Sequence, residues 1–456
     1  MMSNDFIPWN GRIAIVDDNV NQALPLMRVF AKSNIPYVFY KGNDITYLPE
    51  DPENDIRVLF LDLNLLGGLE VPSKNIRATL ISLIKHIISP TNYPYILILW
   101  SRQEKEYGDL LREIFNTELN KCAPIGIFNY VKSDFFPNFA EEEDSNTPVD
   151  DNKILEELNK ILLQLPAYSH LMQWENCVHA SADATIQDIF HDMHSKEDWR
   201  NNANYIFEAF AHAHLEQHYR DATLEEKAKS SLMFLNDVYN DTLEGSVRDL
   251  DLSHAQELKS SVDTKVQQSI SAKINEHILF SKTNKSVRQP GSVFIDEKNN
   301  GHAILSDCIC TEDLRGQVKQ RFQLPNIKEA RNVFNQLVTE RKKEIEQTMS
   351  PCCNITVTPA CDYAQNKIKF DRIVQGIIIE SKYKKLIDNR SEAIYISPTF
   401  IYQDRPCIFV LNFRYFITGD LSKNSTKPLF KLRNRMLAEI QSKLARHINR
   451  QGVLNL

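Results

Sequence analysis

The chain has 456 residues, of which 42% are hydrophobic and 25% charged, and its formal net charge is −7. This composition is typical of a soluble globular protein and excludes collagen-like, fully disordered and membrane-dominated chains. The length predicts two to four domains, each with its own core. The net negative charge does not point to nucleic-acid binding by the chain as a whole. No apolar run approaches the roughly 20 residues that a membrane-spanning helix needs.

The N-terminus and the cysteines predict a cytoplasmic protein. The opening residues MMSNDFIPWNGR contain neither the basic nor the apolar region of a secretory signal. Eight cysteines are too few for a disulfide scaffold in a chain of this size, so we expect reduced thiols. The sequence contains neither GxGxxG nor GxxxxGK[ST], and a phosphate-cradling glycine loop is therefore not expected.

Residues 1–140 alternate between short apolar runs and segments of helical periodicity. The predicted strands are 12–16, 37–40, 57–61, 95–100 and 126–131. The predicted helices are 20–33, 74–88 and 103–119. Continuous apolar strands that are separated by helices indicate a parallel sheet covered on both faces. The fold class expected here is therefore α/β, a doubly wound parallel five-stranded sheet.

Two further domains are expected after this region. Residues 141–151 are acidic, contain a proline and show no periodicity, so they predict a solvated linker. Residues 152–288 show almost only helical periodicity and predict an all-α middle domain. Short β-type segments appear in residues 289–456, with helices predicted at 327–347 and 431–449. The last region therefore predicts a small α+β C-terminal domain.

Polar residues follow four of the five predicted strands. Asp17 and Asp18 follow the first strand, Asp62 the third, Ser101 the fourth and Lys132 the fifth. Ligands of doubly wound sheets gather outside the carboxyl ends of the strands. Three converging carboxylates would repel one another without a cation, and their hard oxygens suit Mg²⁺. A lysine and a hydroxyl group opposite the cation would hold the oxygens of a phosphoryl group on Asp62, since aspartate forms acyl phosphates in covalent catalysis.

This set resembles the receiver domain of two-component response regulators. The matching stretches are IVDDN at 15–19, FLDLNL at 60–65, LILWS at 97–101 and YVK at 130–132. The resemblance covers about residues 11–140 and implies a receiver-type, flavodoxin-like fold. It also implies roles for individual residues, as follows: Asp17 and Asp18 as the metal pair, Asp62 as the phospho-acceptor, Asn64 as a main-chain metal ligand, Ser101 as the switch hydroxyl and Lys132 as the phosphate-pairing lysine.

The chain departs from the receiver pattern at several positions. Ser133 replaces the proline that usually follows the lysine, and Leu65-Leu66 lacks the usual proline after the acceptor. Arg102 stands where a small residue normally follows the switch hydroxyl. These departures leave a second hypothesis open, namely a phosphorylation-independent pseudo-receiver that serves as a scaffold or regulator in a bacterial antiviral defence system.

The C-terminal region carries weaker signals. The stretch TPACDYAQNK places Cys361, Asp362 and Lys367 together, and it resembles a pattern of uncharacterised bacterial proteins, some linked to phage defence. An enzyme site with Cys361 as nucleophile is one interpretation, but no histidine base lies nearby in the sequence, which favours a buried cysteine and a turn-forming aspartate. A thiolate Zn²⁺ site is likewise less favoured than buried cysteines, because the chain has no CxxC pair.

These observations together predict a signal-transduction regulator. The resemblance implies Mg²⁺ as cofactor, and a histidine kinase or another phosphodonor protein as partner. A protein partner is expected for the helical and C-terminal regions, and no membrane association. The cationic, amphipathic final helix leaves nucleic-acid binding open. No enzymatic activity is expected beyond the receiver's own phosphorylation and dephosphorylation.

Overall fold

The fold is that of a computed structural model, and its elements form two compact units. The structure describes residues 12–62, 73–101, 105–136, 151–191, 198–252, 257–258, 260–281, 286–321, 327–364, 368–422, 424 and 426–449. One unit consists of residues 1–206 with 233–259, and the other of residues 207–232 with 260–456. No helix of the described residues is both long enough and apolar enough to cross a membrane.

The first unit is built on a five-stranded sheet. Its strands are β1 (Ile13–Asp17), β2 (Tyr37–Lys41), β3 (Val58–Leu61), β4 (Ile96–Ser101) and β5 (Gly126–Val131). All of their pairings are parallel, in the order β2-β1-β3-β4-β5, which is an order found in flavodoxin-like doubly wound sheets. The expected parallel α/β sheet is therefore confirmed, and each strand lies within one residue of its predicted bounds.

Helices cover both faces of this sheet. The helices that begin in the first unit are α1 (Val20–Lys32), α2 (Ser73–Ile87), α3 (Lys105–Thr117), α4 (Lys132–Phe135), α5 (Asp151–Leu163), α6 (Pro166–Phe190) and α7 (Trp199–Leu215). Alternate residues of one strand serve different cores, because side chains of a strand point to opposite faces. Ile13 and Ile15 pack with α1, α5 and α6, whereas Ala14 and Val16 pack with α2 and α3. Helices α5 and α6, which the sequence placed in a separate helical domain, thus contribute to the core of the parallel sheet.

The expected helical middle region is present. After α7 it continues with α8 (Leu224–Arg248) and α9 (Thr264–Leu279). Helices α7 and α8 each cross the division between the two units. Residues 137–150, which include most of the predicted acidic linker, lie outside the described residues.

The second unit contains an eight-stranded antiparallel sheet, larger than the small sheet that was expected. Its strands are β6 (Phe280–Ser281), β7 (Ser292–Asp296), β8 (Cys352–Thr356), β9 (Asp371–Glu380), β10 (Ile394–Ile396), β11 (Phe400–Tyr402), β12 (Arg405–Gly419) and β13 (Phe430–Leu432). Their order is β10-β12-β9-β8-β7-β13-β6, and β11 pairs with β12.

Several helices of this unit pack against the second sheet. The helices from α10 onward are α10 (His302–Cys308), α11 (Glu312–Arg321), α12 (Ile327–Glu346), α13 (Ala360–Ala364) and α14 (Asn434–Ile448), of which α11 packs on α12. Helix α14 places Met436, Leu437, Ile440 and Leu444 in one core of the sheet, and α10 and α12 contribute to another. The C-terminal region is therefore α+β, as predicted, and the apolar stripe of its cationic final helix packs on its own domain.

Candidate functional site

The carboxyl ends of the parallel strands bring three predicted site residues together. Asp17 is the last residue of β1, Asp62 directly follows β3, and Lys132 follows β5 as the first residue of α4. The backbone N–H of Asp62 donates to the Val16 carbonyl oxygen at 2.8 Å, which extends the β1–β3 ladder to this predicted acceptor. The side chains of Asp17, Asp62 and Lys132 are all fully buried.

Lys132 is the centre of this buried cluster. Its Nζ donates to Asp17 Oδ2 at 2.7 Å and to Asp62 Oδ2 at 2.5 Å. It also donates to Gln22 Oε1 at 3.3 Å. Charges are found in a protein interior only when they are paired and hydrogen-bonded. The geometry therefore joins a proposed metal ligand, the proposed acceptor and the proposed phosphate-pairing lysine in one network.

Asp18 completes an acidic group beside the lysine. One oxygen each of Asp17, Asp18 and Asp62 lie within 4.8 Å of one another, and Asp18 is half-buried. Among the residues that the structure describes, this is the only group of three or more possible metal ligands. Hard carboxylate oxygens are the ligands that Mg²⁺ prefers, so the donor set fits the expected cation.

Burial shifts the protonation of the first two acids. It raises the pKa of Asp17 to about 6, although the Lys132 ammonium acts in the opposite direction and Asp62 adds to the rise. Burial also raises the pKa of Asp18, and the neighbouring Asp62 carboxylate contributes to that shift. The backbone N–H of Asn19 donates to Asp17 Oδ1 at 2.9 Å and favours the charged form of this carboxyl group.

Two predicted site residues are placed only in part or not at all. Ser101 ends β4 and pairs with Val131 of β5, so its backbone lies at the same edge of the sheet as the acids. Its side chain, like the whole of Asn64 and Arg102, lies outside the described residues. The roles of Ser101 and Asn64 therefore stay predictions.

Of the three residues of the predicted C-terminal site, Asp362 is the one whose side chain the structure describes. This half-buried residue forms a long ion pair with Arg372, whose Nη2 lies 3.8 Å from Asp362 Oδ2. The side chain of Cys361 and the whole of Lys367 lie outside the described residues, so the structure does not test whether the three side chains converge.

Most of the described cysteines are buried. Six of them are buried, namely Cys122, Cys177, Cys308, Cys352, Cys353 and Cys407, and Cys310 is half-buried. No described cysteine belongs to a group of possible metal ligands. Burial raises the pKa of the Cys308 and Cys352 thiols to about 12, so both are neutral thiols at neutral pH.

Gln22 accepts a hydrogen bond from Lys132, a contact that was not predicted from the sequence. Gln22 lies in the first turn of α1, and that helix begins three residues after Asp17. The only signal for its role was its place near the N-terminus of a helix that follows a site strand. Many polar residues of helix N-termini share that place, so the contact was not predictable from the pattern.

An aromatic group also missed by the sequence lies next to the site. Phe135 and Phe136 follow Lys132 closely, and their ring centroids are 5.7 and 5.9 Å from that of Trp100 on β4. Lys153 of α5 donates to the carbonyl oxygen of Asp134 at 2.6 Å. The segment that begins with the site lysine is thus packed between β4 and α5.

The chain was compared with family models, with curated proteins and with solved structures, and none of these comparisons found a match. The case for a function therefore rests on the residues and their geometry.

Proposed function

We propose that the first unit is a receiver-type domain that accepts a phosphoryl group on Asp62. The observation that carries the proposal is the buried network in which Lys132 Nζ contacts Asp17 at 2.7 Å and Asp62 at 2.5 Å. This network lies at the carboxyl edge of a parallel sheet in the order β2-β1-β3-β4-β5, where ligands of such sheets bind. No covalent chemistry is needed from the protein beyond the attack by one carboxylate.

The chain's own residues account for the main needs of the transfer. A carboxylate oxygen of Asp62 attacks phosphorus, the bond from phosphorus to the donor's leaving group breaks, and that group departs with the bonding electron pair. Asp17 and Asp18 would hold Mg²⁺, which would neutralise the charge of the phosphoryl oxygens. Lys132 is placed to exchange its contact with Asp62 for one with a phosphoryl oxygen, because it already lies within 2.5 Å of that carboxylate. Ser101, at the end of the neighbouring strand, would supply a hydroxyl group to another phosphoryl oxygen.

The proposed donor is a phosphorylated histidine kinase or another phosphodonor protein, and the proposed output is an altered protein interaction. Charge added at Asp62 would change what Lys132 contacts, and Lys132 begins α4. Phe135 of the same short helix packs on Trp100, and Lys153 of α5 lies over the Phe135 ring at 5.3 Å. These contacts support α5 as the first element to respond.

The test is the intact mass of the full chain with Mg²⁺ and acetyl phosphate. We expect one labile phosphoryl adduct on the wild type and on Asp55→Asn, a matched change of an exposed acid. The Asp62→Asn variant should carry none. An adduct that persists in Asp62→Asn would refute Asp62 as the acceptor, and adducts that vanish in both variants would show that the loss is not specific.

A pseudo-receiver that binds a partner without phosphorylation is the second candidate. The favouring observation is that Lys132 already pairs with both buried acids, so one cation is present in the site without any metal. This candidate predicts no adduct with acetyl phosphate or with a phosphorylated kinase, and no Mg²⁺-dependent change in thermal stability. An adduct or a Mg²⁺ response that Asp62→Asn abolishes would exclude it.

A further inference from the structure

The second unit contains a cleft of about 940 Å³ beside the end of strand β7. Phe294 and Ile295 both line it, and adjacent residues of a strand point to opposite faces of a sheet. A cavity that touches both faces of one strand reaches that strand's edge. Asn354 of β8 and Ile373 of β9 line it as well, so the cleft opens at the edge of β7 and continues over the neighbouring strands on one face of the sheet.

The edge is open because strand β13 pairs with β7 along only part of its length. The pairing of the two strands covers only Ser292 and Val293 of β7. Leu429 donates its N–H to the Val293 carbonyl oxygen at 2.8 Å, and Thr426 and Lys427 then form another part of the cleft lining. On the other side, β8 pairs with β7 up to Asp296.

The backbone of Ile295 is the group that this opening exposes. Val293 directs its carbonyl group toward β13, and groups two residues apart on a strand point to the same side. The N–H and C=O of Ile295 therefore face the cleft, where none of the described residues of β13 pairs with them. An unpaired strand edge is a template for another strand.

The lining can receive side chains on both sides of such a strand. Phe294, Ile373 and Leu421 form an apolar cluster on one side. The turn at Tyr402 and Gln403, between β11 and β12, lines the cleft as well. An added strand would direct alternate side chains toward these two surfaces.

The charges of the lining point to a peptide rather than to a polyanion. Asp296 and Glu297 line the cleft together with Lys298 and Lys427, so these charges balance. A nucleic-acid groove would carry an excess of cations. The main-chain groups that face the cleft pair best with another extended backbone, which presents N–H and C=O groups at the same spacing. Such a backbone would continue the partial ladder between β7 and β13 in the same register.

We propose that this cleft binds an extended peptide segment of a partner protein, which adds to the sheet as a strand at the edge of β7. The peptide backbone pairs with Ile295 and continues the ladder that β13 begins. An apolar peptide side chain packs against Ile295 and Tyr402, which both line the cleft and are half-buried. This proposal is independent of the chemistry proposed for Asp62.

The test selects linear 12-residue peptides from a phage-displayed library on the immobilised full chain and measures the affinity of the best one. Ile295→Pro removes the N–H that faces the cleft, and proline is tolerated at strand edges. Ile295→Val keeps the N–H and is the matched control. We expect binding about tenfold weaker for Ile295→Pro, as the loss of one or two hydrogen bonds implies, and within about twofold for Ile295→Val.

A second measurement does not depend on the folding of a variant. N-methylation of alternate residues of the selected peptide should abolish binding for one set of positions and spare it for the other, because a strand pairs through every second residue. The peptide should also slow the hydrogen exchange of the Ile295 amide in the wild-type chain. Failure to enrich any peptide, equal binding by Ile295→Pro, or equal tolerance of both methylation sets would overturn the proposal. So would an Ile295 amide that is already protected in the free protein, since the chain would then close its own edge.

Discussion

Lys132 lies between two buried carboxylates, and its charge is what allows them to approach each other. Its Nζ contacts Asp17 and Asp62 at 2.7 and 2.5 Å, and all three side chains are fully buried. Removing one partner of a buried ionic network is far more costly than removing a surface charge, since the remaining charges lose their compensation.

The Lys132→Met variant, which has a similar length but no charge, should therefore be destabilised. We expect a loss of about 3 kcal/mol in the free energy of unfolding in the presence of a chelator at neutral pH. Mg²⁺ should restore part of this loss, because the cation takes over the compensation of the acids. Urea unfolding of the wild type and the variant, each with EDTA and with Mg²⁺, measures both effects.

The exposed Lys160→Met is the matched control for this experiment, since its ion pair with Glu157 lies at the surface. Equal stability of Lys132→Met and the wild type in EDTA would contradict the role given to Lys132.

Asp17 should make the first unit less stable as the pH rises from about 4 to about 6. Its pKa is raised to about 6 in the folded protein, chiefly by burial, from an ordinary value of 3.8. The folded state therefore binds the proton more tightly than the unfolded state in this range. The stabilising contribution of the protonated form is fully present below about pH 4 and is lost by the time the pH has passed through 6.

The free energy of unfolding should therefore fall by about 3 kcal/mol over this pH range. This fall should be missing from Asp17→Asn, and Asp55→Asn should behave as the wild type. Urea unfolding in a chelator at half-unit pH steps measures the difference between the curves. A wild-type curve parallel to that of Asp17→Asn would refute the raised pKa.

At the scale of elements, a second, half-buried ionic group ties helix α6 to the strands at the edge opposite the site. Glu175 of α6 accepts hydrogen bonds from Arg12 at 3.2 Å and from Arg57 at 2.9 Å. Arg12 and Arg57 directly precede β1 and β3. Tyr168 of α6 donates to the Arg57 carbonyl oxygen at 2.6 Å. The sheet and α6 are therefore joined by polar contacts as well as by their shared core.

Glu175→Gln should loosen this connection. We expect the free energy of unfolding to fall by about 2 kcal/mol, because two arginines that are mostly buried lose their counter-charge. Faster hydrogen exchange should be confined to α6 and the starts of β1 and β3. Glu244→Gln, which removes an exposed pair with Arg248 one turn away, should change stability by no more than about 0.5 kcal/mol. A Glu175→Gln protein that exchanges like this control would show that packing alone holds α6.

The elements differ in how well the sequence predicted them. Strand β3 is apolar throughout, and β1 and β4 are apolar up to their last residue, because these strands are buried on both faces, and that pattern is visible in the sequence. Strands β6, β11 and β13 have only two or three residues, too few for any period to show. They exist because neighbouring strands pair with them, and that is tertiary information.

At the scale of the whole molecule, the thiols report the folding of both units. Six described cysteines are buried across the two units, whereas Cys310 is half-buried. Burial also raises the pKa of the Cys407 thiol to about 11. Thiolates are the reactive species, so burial protects the six cysteines by limiting access, and it protects Cys407 also by keeping its thiol protonated.

Brief alkylation of the native chain at pH 7.5 should therefore modify Cys310 well before the six buried cysteines. Mass spectrometry of the digested protein locates the label, and labelling in urea gives the control in which all of them react. Rapid native labelling of Cys308 or Cys353 would contradict the described packing.

The amino-acid sequence was enough to predict the parallel sheet, the helical and α+β regions and the acids and lysine of the candidate site. These features depend on local patterns, namely apolar runs, helical periodicity and polar residues at strand ends. The tertiary structure alone decided that α5 and α6 share the core of the first sheet, that Gln22 contacts Lys132, and that β13 leaves the edge of β7 open. Each of these contacts joins segments distant in sequence or side chains without a distinguishing pattern, and only the packing of the folded chain selects them.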